Sequence, residues 1–137
     1  MDDAVRRALE ITAASTAAER TVDITTTGAK TGRQLRIEIW LYAVDGDLYL
    51  TRVPGLPPAG WLANLLANPR FILHLKHGVT ADLPAIAHPI GDPALRERVF
   101  GEMITQLSRM SAEGSVTPPK PLERWLAESP LVRVELE

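Results

Sequence analysis

The sequence predicts a mainly β fold, a small and partly open antiparallel barrel of six or seven strands with helices packed around it. Short segments of alternating or β-branched character recur along the chain, and turns rich in glycine and proline separate them. The candidate helices lie at the start, the middle and the last third of the chain and do not alternate with every strand. This order favours an antiparallel barrel over a doubly wound parallel sheet.

The first element is predicted to be an N-terminal helix over residues 1–20. Small and apolar residues recur at helical spacing from Asp3 onwards: Val5, Ala8, Leu9, Thr12 and Ala13. The β-branched run from Thr21 to Thr27 then favours a strand. Residues 21–90 form the expected barrel core.

The clearest strand spans residues 35–42, because apolar and polar side chains alternate along it. Leu35, Ile37, Ile39 and Leu41 share one face, and Arg36, Glu38, Trp40 and Tyr42 share the other. Asp45-Gly46 favours a type I′ hairpin turn to a partner strand over residues 48–52, because both turn positions require positive φ.

The pattern over residues 53–137 predicts further short helices and strands separated by loops. A proline-rich loop over residues 53–60 precedes a helix over 61–67, which Asn68-Pro69 ends. Strands follow over 71–76 and 79–88, the second one broken or bulged at Pro84. In the helical region 91–128, Asp92 and Pro93 begin a helix that runs to about Met110, and a short helix covers 122–128. Residues 131–137 supply a closing strand, so residues 1–137 are read as a single domain.

Composition excludes several classes of function. The 137 residues carry 15 basic and 17 acidic side chains, a balance that argues against general nucleic-acid binding. The absence of cysteine excludes disulfides, thiol nucleophiles and thiolate metal sites. An acidic start without an apolar run, and no stretch long enough to span a bilayer, lead us to expect a cytoplasmic protein without membrane insertion.

No conventional catalytic constellation is present in the sequence. His74 and His77 lie three residues apart on a predicted strand, so they face opposite sides and do not suit one metal ion. No serine lies in a Gly-x-Ser-x-Gly elbow, which leaves a hydrolase triad without support. We therefore expect no metal site.

The turn over residues 28–33 is the strongest candidate for ligand binding. Gly28 and Gly32 would let backbone amides converge on an anion, and Lys30 and Arg33 would supply positive charge. Arg36 follows three residues later, on the strand face of Trp40. The turn therefore predicts a phosphate or carboxylate site; the alternative is an ordinary solvated hairpin turn.

Two segments resemble the deazaflavin (coenzyme F420)-dependent nitroreductase family. The first runs from Ile24 to Gly32 and continues through Ile37–Trp40 and Asp45–Tyr49. The second, Trp61–Pro69, is similar to the family's Trp-x-x-Asn-Leu-x-x-Asn-Pro segment. The resemblance covers residues 22–90. It implies a split β-barrel related to FMN-binding oxidases and reductases, with F420 as cofactor.

The resemblance also assigns residues to the cofactor. By position, Lys30, Thr31 and Gly32 match the family turn that holds the phosphate and anionic tail of F420. The family arginine that follows is bracketed here by Arg33 and Arg36, and ungapped matching places Leu35 on it.

Further along, Thr51 and Arg52 keep the hydroxyl and the charge of the family's Ser-Lys-Gly-Gly, whereas its glycines are replaced. Trp61 and Asn64 belong to the second motif. Trp61 either lines the cofactor pocket or packs in the core, and Asn64 either binds ligand or fixes the loop.

These observations predict an oxidoreductase that transfers a hydride from reduced F420 to a quinone, an enone or a nitroaromatic compound. The alternatives are an FMN-dependent split-barrel reductase and a non-catalytic protein that binds a cofactor or an apolar ligand. Tyr49, Tyr42 or solvent would supply the proton. Trp40 and Tyr42 are either packed by a neighbouring element or form the contact of a homodimer.

Overall fold

Seven strands form one antiparallel sheet in the computed structural model, which describes residues 1–137. The strands are β1 (Thr21–Thr27), β2 (Gln34–Trp40), β3 (Tyr42–Val44), β4 (Asp47–Thr51), β5 (Arg70–Leu75), β6 (Ala81–Pro89) and β7 (Leu131–Leu136). Their spatial order is β2-β1-β5-β6-β7-β4-β3. Because β2 at one edge comes close to β4 near the other edge, the sheet curls into a half-barrel. The predicted mainly β split-barrel architecture is confirmed.

Five helices accompany the sheet: α1 (Asp3–Ala8), α2 (Ala17–Arg20), α3 (Gly60–Ala67), α4 (Pro93–Ala112) and α5 (Leu122–Glu128). As expected, the Asp92 side chain caps α4, where it accepts from the backbone N–H of Leu95 at 2.9 Å, and Pro93 occupies the first helical position. No helix combines the length and the apolar composition needed to cross a bilayer.

The expectation of a single N-terminal helix up to residue 20 is wrong, because hydroxyl side chains interrupt it. The Ser15 hydroxyl accepts from the backbone N–H of Thr12 at 2.8 Å, and the Thr12 hydroxyl accepts from that of Ala14 at 3.2 Å. Thr16 and Glu19 then form a capping box that begins α2. Such local bonds compete with the helical hydrogen-bond ladder and divide the segment into two short helices.

The strand predicted over residues 35–42 divides at Leu41 into β2 and β3, since the Leu41 backbone N–H donates to the Arg20 carbonyl at 2.7 Å. The type I′ turn after β3 has the expected positive φ angles of 53° at Asp45 and 83° at Gly46. The Asp45 carboxylate accepts two hydrogen bonds from Arg98, at 2.6 and 2.8 Å, which tie this turn to α4.

Two cores lie on opposite faces of the sheet. The concave face packs around Val22, Ile24, Leu50, Leu73 and Val132. The convex face of β3 and β4 is covered by α4 and α5, whose Phe100, Met103 and Trp125 meet Tyr42 and Tyr49.

This covering by helices corrects one expectation for the polar face of the predicted strand. Tyr42 is only 3% exposed beneath α4, so it is packed by a neighbouring element of its own chain and offers no dimer contact. Leu35 is also a departure from the expected pattern, because it is 53% exposed near the open end of β2.

Strand β6 runs through Pro84 without the expected break or bulge. Its register against β5 is regular from Arg70↔Ile86 to Leu75↔Ala81. The Pro84 carbonyl accepts from the Glu137 N–H at 3.0 Å, so it points away from β5. The nitrogen of the same residue lies on the same edge of the strand, and its missing N–H therefore interrupts no bond to β5.

The buried guanidinium of Arg20 joins three parts of the molecule. It donates to the carbonyls of Thr12 at 2.8 Å and Ser15 at 3.2 Å, and to the side-chain oxygen of Gln106 on α4 at 2.9 Å. The Gln106 amide nitrogen in turn donates to the Ala43 carbonyl at 3.2 Å. Arg20 is fully buried, and burial lowers its pKa. The network holds the N-terminal segment and α4 against β3.

Replacing Arg20 by Met should lower the free energy of unfolding by roughly 2–4 kcal/mol, because the variant keeps the apolar stem but leaves Gln106 and two carbonyls without their donor. Urea denaturation followed by tryptophan fluorescence measures this loss. Arg109→Met, on an exposed position of α4, is the matched control and should stay within roughly 0.5 kcal/mol of the parent. Equal losses in the two variants would contradict the role given to Arg20.

Candidate functional site

A cavity of about 630 Å³ opens beside the second half of β2. One wall is formed by Ile37–Trp40 and Tyr42, a second by the loop after β4, and a third by residues 116–120 between α4 and α5. All three tryptophans of the chain, Trp40, Trp61 and Trp125, line it. A cavity of this size and composition suits a planar aromatic molecule.

The loop after β4 is held in place at several points. The Thr51 hydroxyl donates to the Pro130 carbonyl at 2.6 Å, and Arg52 donates to the Glu128 carbonyl at 2.9 Å. The Glu128 carboxylate accepts from the Gly55 N–H at 3.1 Å and pairs with Arg124. Hydrogen bonding to Arg124 holds the Glu128 pKa below its usual range. The proline-rich segment is therefore attached to α5.

The aromatic residues are themselves positioned by their surroundings. Trp61 is 7% exposed on α3, and the ring of Trp40 lies 6.3 Å from that of Tyr42. The Trp125 indole donates to the Lys120 carbonyl at 3.0 Å and packs 5.5 Å from the Phe100 ring. These contacts fix the cavity wall before any ligand arrives.

The two tyrosines considered as proton donors differ in position. Tyr42 lines the cavity, and burial raises its pKa to about 12, so its hydroxyl stays protonated near neutral pH. Burial also raises the pKa of Tyr49, which is 2% exposed and packs under the helices away from the cavity lining. Of the two, only Tyr42 borders the cavity.

The turn over residues 28–33 leaves few backbone donors for an anion. The N–H of Gly28 donates to the Arg33 carbonyl at 2.7 Å, and that of Gly32 to the Gly28 carbonyl at 3.0 Å. Side chains accept from the N–H groups of Ala29 and Arg33. The amides of Gly28 and Gly32 are thus used within the turn, whereas the amides of Lys30 and Thr31 donate to no protein group.

The glycines of this turn serve its geometry. Gly32 has a φ of 71°, in the left-handed region that favours glycine. A Cβ at Gly28 would lie 2.8 Å from the Thr31 hydroxyl oxygen and 3.2 Å from the Arg33 carbonyl oxygen, which is too close. The turn exposes Lys30, Thr31 and Arg33, and neither cation has a carboxylate within ion-pair distance.

Asn64 fixes this turn from α3. Its side-chain oxygen accepts from the Ala29 N–H at 3.0 Å, and its nitrogen donates to the Thr26 hydroxyl at 3.0 Å. Asn64 is 7% exposed, and Asn68 adds a bond to the Thr27 carbonyl at 3.3 Å. Of the two roles open from the sequence, Asn64 takes the loop-fixing one.

Arg36 is separated from the turn. Its Nε donates to the Asp23 carboxylate at 2.9 Å, and Asp23 lies across from Glu38, two residues further from the turn. Lys76 donates to Asp23 at 2.7 Å and to Glu38 at 2.5 Å. Hydrogen bonding to Lys76 and then to Arg36 lowers the Asp23 pKa against the opposing effect of burial. Arg36 thus belongs to a four-residue ion cluster on the convex face.

The expected site residues therefore fall into separate places. Lys30, Thr31, Gly32 and Arg33 form the turn; Thr51, Arg52 and Trp61 border the cavity. Sequence reasoning missed the wall at residues 116–120 and Trp125, which are distant along the chain. No local signal marks this wall, although the rarity of tryptophan makes each one a reasonable candidate for a binding surface.

A second polar chain crosses three strands on the convex face. The Thr25 hydroxyl lies 2.6 Å from His74 Nε2, and His74 Nδ1 lies 2.7 Å from the Asp82 carboxylate. His74 is 7% exposed and borders no wall of the cavity. This chain links β1, β5 and β6.

Comparison with known proteins supports the fold. No family model and no curated protein matches the sequence. Among solved structures, a pyridoxamine 5′-phosphate oxidase-like protein from Listeria innocua is 12% identical with a TM-score of 0.59, covering 98% of this chain and 92% of its own. A FAD-binding protein from Mesorhizobium loti is 17% identical with a TM-score of 0.61, covering 96% and 86%.

An F420-H2-dependent reductase is 16% identical with a TM-score of 0.50, covering 85% of this chain and 94% of its own. At such identities the likeness concerns the fold. The chain has the split-barrel fold that these structures share.

Replacing Asn64 by Ala should lower the free energy of unfolding by about 1–3 kcal/mol, because the buried Thr26 hydroxyl and the Ala29 N–H lose their partner. The Ala29 amide should also exchange its hydrogen faster, as NMR would record. Asn68→Ala, which removes one longer bond to Thr27, is the control and should have a smaller effect. Unchanged exchange at Ala29 in Asn64→Ala would contradict the loop-fixing role.

Replacing Asp23 by Asn should flatten the acid side of the stability profile. Since the pKa of Asp23 is lower in the folded than in the unfolded protein, its stabilisation is present above about pH 4 and disappears as pH falls through the folded pKa. We expect a parent advantage of up to about 1 kcal/mol at neutral pH, measured by urea denaturation at several pH values. The exposed Asp47→Asn serves as control, and parallel profiles for parent and Asp23→Asn would disprove this assignment.

Proposed function

We propose that this protein is an oxidoreductase that uses reduced deazaflavin F420 to deliver a hydride to an electron-poor small molecule such as a quinone, an enone or a nitroaromatic compound. The observation that carries the proposal is the arrangement along β2. The exposed basic turn precedes the first residue of this strand, and the tryptophan-lined cavity borders its second half.

The spacing along β2 suits a cofactor with an anionic end and an aromatic end. From Gln34 to Ile37 the strand rises about 10 Å, at roughly 3.3 Å a residue. A ribityl chain with its phosphate bridges a separation of this order. Lys30, Arg33 and the Thr31 hydroxyl would hold the phosphate and the anionic tail, aided by the amides of Lys30 and Thr31.

The cavity fits the ring end by its chemistry. Trp40 and Trp61 provide apolar aromatic surface, while Thr51 and Arg52 border the same space with a hydroxyl and a cation. When bound, the reduced deazaflavin supplies a hydride, which carries two electrons, and a quinone that takes it together with one proton becomes a hydroquinone. For such chemistry the protein must orient the coenzyme and the acceptor and exclude water from the cavity, and it needs no catalytic triad or metal.

Tyr42 is the side chain that we propose as the hydrogen-bond donor to the acceptor's oxygen. It borders the cavity, and a pKa of about 12 keeps its hydroxyl protonated at neutral pH. Solvent is the other source of the proton. Tyr49 is set aside because it does not border the cavity.

An FMN-dependent reductase is the second candidate. FMN also brings a phosphate to a basic turn, and the FAD-binding neighbour from Mesorhizobium loti favours a flavin. The F420-H2-dependent reductase among the neighbours favours the deazaflavin. Titration of the three tryptophans' fluorescence with F420 and with FMN separates the two candidates, because every tryptophan borders the proposed ring site.

Turnover separates an enzyme from a non-catalytic binding protein. Mixed with reduced F420 and menadione, the protein should oxidise the coenzyme in step with quinone reduction. Tight coenzyme binding without turnover of any quinone, enone or nitroaromatic acceptor would favour the binding protein instead. A homodimer stays a prediction that light scattering tests.

Replacing Lys30 by Ala should weaken F420 binding by roughly 10- to 100-fold, because a charge-assisted hydrogen bond contributes about 1.5–3 kcal/mol. The lower end is expected, since the exposed turn is hydrated and screened by salt. Tryptophan quenching at low salt measures the affinity. Arg109→Ala, which removes an exposed charge on α4, is the control. Parent-like F420 affinity in Lys30→Ala would exclude the turn as the anchor.

A further inference from the structure

One wall of the cavity carries a cation that the proposed cofactor site does not use. Lys120 borders the cavity beside Pro118 and Pro119. Its ammonium group has no carboxylate within ion-pair distance and donates to no protein acceptor, in contrast to Lys76, which bonds to Asp23 and Glu38. Lys120 is therefore available to a ligand.

Lys120 lies in an exposed loop, but its backbone is conformationally restricted. Proline stands on both sides of it, at Pro119 and Pro121, and a residue before proline is restricted to extended conformations. The Lys120 carbonyl also accepts from the Trp125 indole at 3.0 Å. The backbone that carries the ammonium group is thus fixed next to an aromatic wall. This restriction reduces the conformational entropy that Lys120 loses when it binds an anion.

The charge of the cavity lining is unbalanced. Its charged side chains are Arg52, Lys120 and Glu38, and the Glu38 carboxylate is already bonded to Lys76 on the convex face. Arg52 donates to the Glu128 carbonyl and keeps its positive charge at the cavity. The uncompensated charge is positive, and it lies around an apolar, tryptophan-lined space that favours an aromatic molecule with an anionic group.

We propose that Lys120 makes the cavity selective for aromatic acceptors that carry a carboxylate or a sulfonate. The inference rests on the proposed function, because it names the class of molecule that would receive the hydride there. In this arrangement the acceptor's ring lies against Trp125, beside the coenzyme ring at Trp40 and Trp61, and its anionic group meets Lys120 at the 116–120 wall. Lys120 acts as a specificity-determining residue and takes no part in proton or hydride transfer.

The test compares two ligands of nearly equal shape, para-nitrobenzoate and the neutral para-nitrobenzamide. Calorimetric titration of the protein without coenzyme gives both dissociation constants. At low salt the parent should bind the carboxylate about 10-fold more tightly, the lower end for one charge-assisted contact in a partly hydrated site. Lys120→Gln should remove this preference and leave para-nitrobenzamide binding unchanged, whereas the control Arg109→Gln should keep the preference.

Several outcomes would overturn the inference. One is a parent that binds both ligands equally, and another is a Lys120→Gln variant that keeps the preference. A third is a Lys120→Gln variant with weakened F420 binding and parent-like para-nitrobenzoate binding, since Lys120 would then hold the coenzyme's anionic tail. Circular dichroism of Lys120→Gln, an exchange at an exposed position, verifies that the variant is folded.

The experiment separates this inference from the proposed function. The ligand preference is measured without coenzyme, so it can be present even if reduced F420 supports no turnover. Conversely, turnover of menadione together with equal binding of the two probes would leave the oxidoreductase in place and reject only the role of Lys120. With both in place, the parent should reduce para-nitrobenzoate at a lower KM than para-nitrobenzamide, and Lys120→Gln should equalise the two KM values.

Discussion

The position of α4 over the sheet depends on one buried cation. The Arg20 guanidinium binds two carbonyls of the N-terminal segment and the side chain of Gln106, which itself donates to the backbone of β3. With no carboxylate in this network, the bonds to oxygen atoms must offset the cost of burying the charge. Leu107 lies on α4 and Trp125 on α5, which packs against α4, so the position of α4 places both residues at the cavity. A constraint at the start of the chain thereby shapes a wall contributed by its last third.

The glycines of the turn after β1 serve its backbone geometry. Its hydrogen bonds are largely internal, and Asn64 uses both ends of its amide to hold it. Lys30 and Arg33 are thus displayed on a preorganised backbone, with their charges free for a ligand. The glycines set the direction in which those side chains leave the backbone.

Local signals predicted most elements, because each was set by a few neighbouring residues. Asp45-Gly46 specified its hairpin turn, Asp92-Pro93 began α4, and alternation identified β2. Local hydroxyl bonds divided the predicted N-terminal helix, and other predictions failed where interactions between distant segments decided the outcome. No pattern within residues 35–42 could indicate that Tyr42 lies beneath α4, and the regular passage of β6 through Pro84 depends on which neighbouring segment its missing N–H faces.

The candidate site was predictable in its parts and not in its assembly. Thr51, Arg52 and Trp61 were identified from the sequence and do border one cavity. The wall at residues 116–120 lies more than 50 residues further along the chain, so no spacing rule relates it to them. The ion pair of Arg36 was not predictable for a related reason, because its partner Asp23 is contributed by the neighbouring strand.

The place of β7 has a consequence for how the molecule is made. This strand follows all the others in sequence, yet it lies between β6 and β4 and is the only strand that pairs with both of them. A growing chain cannot complete its sheet until Leu131–Leu136 has left the ribosome, and until then β4 and β6 each present an open edge. Loss of these six residues would leave the edges of β4 and β6 unpaired at once. Because unpaired edges promote aggregation, we expect a chain without β7 to aggregate rather than fold.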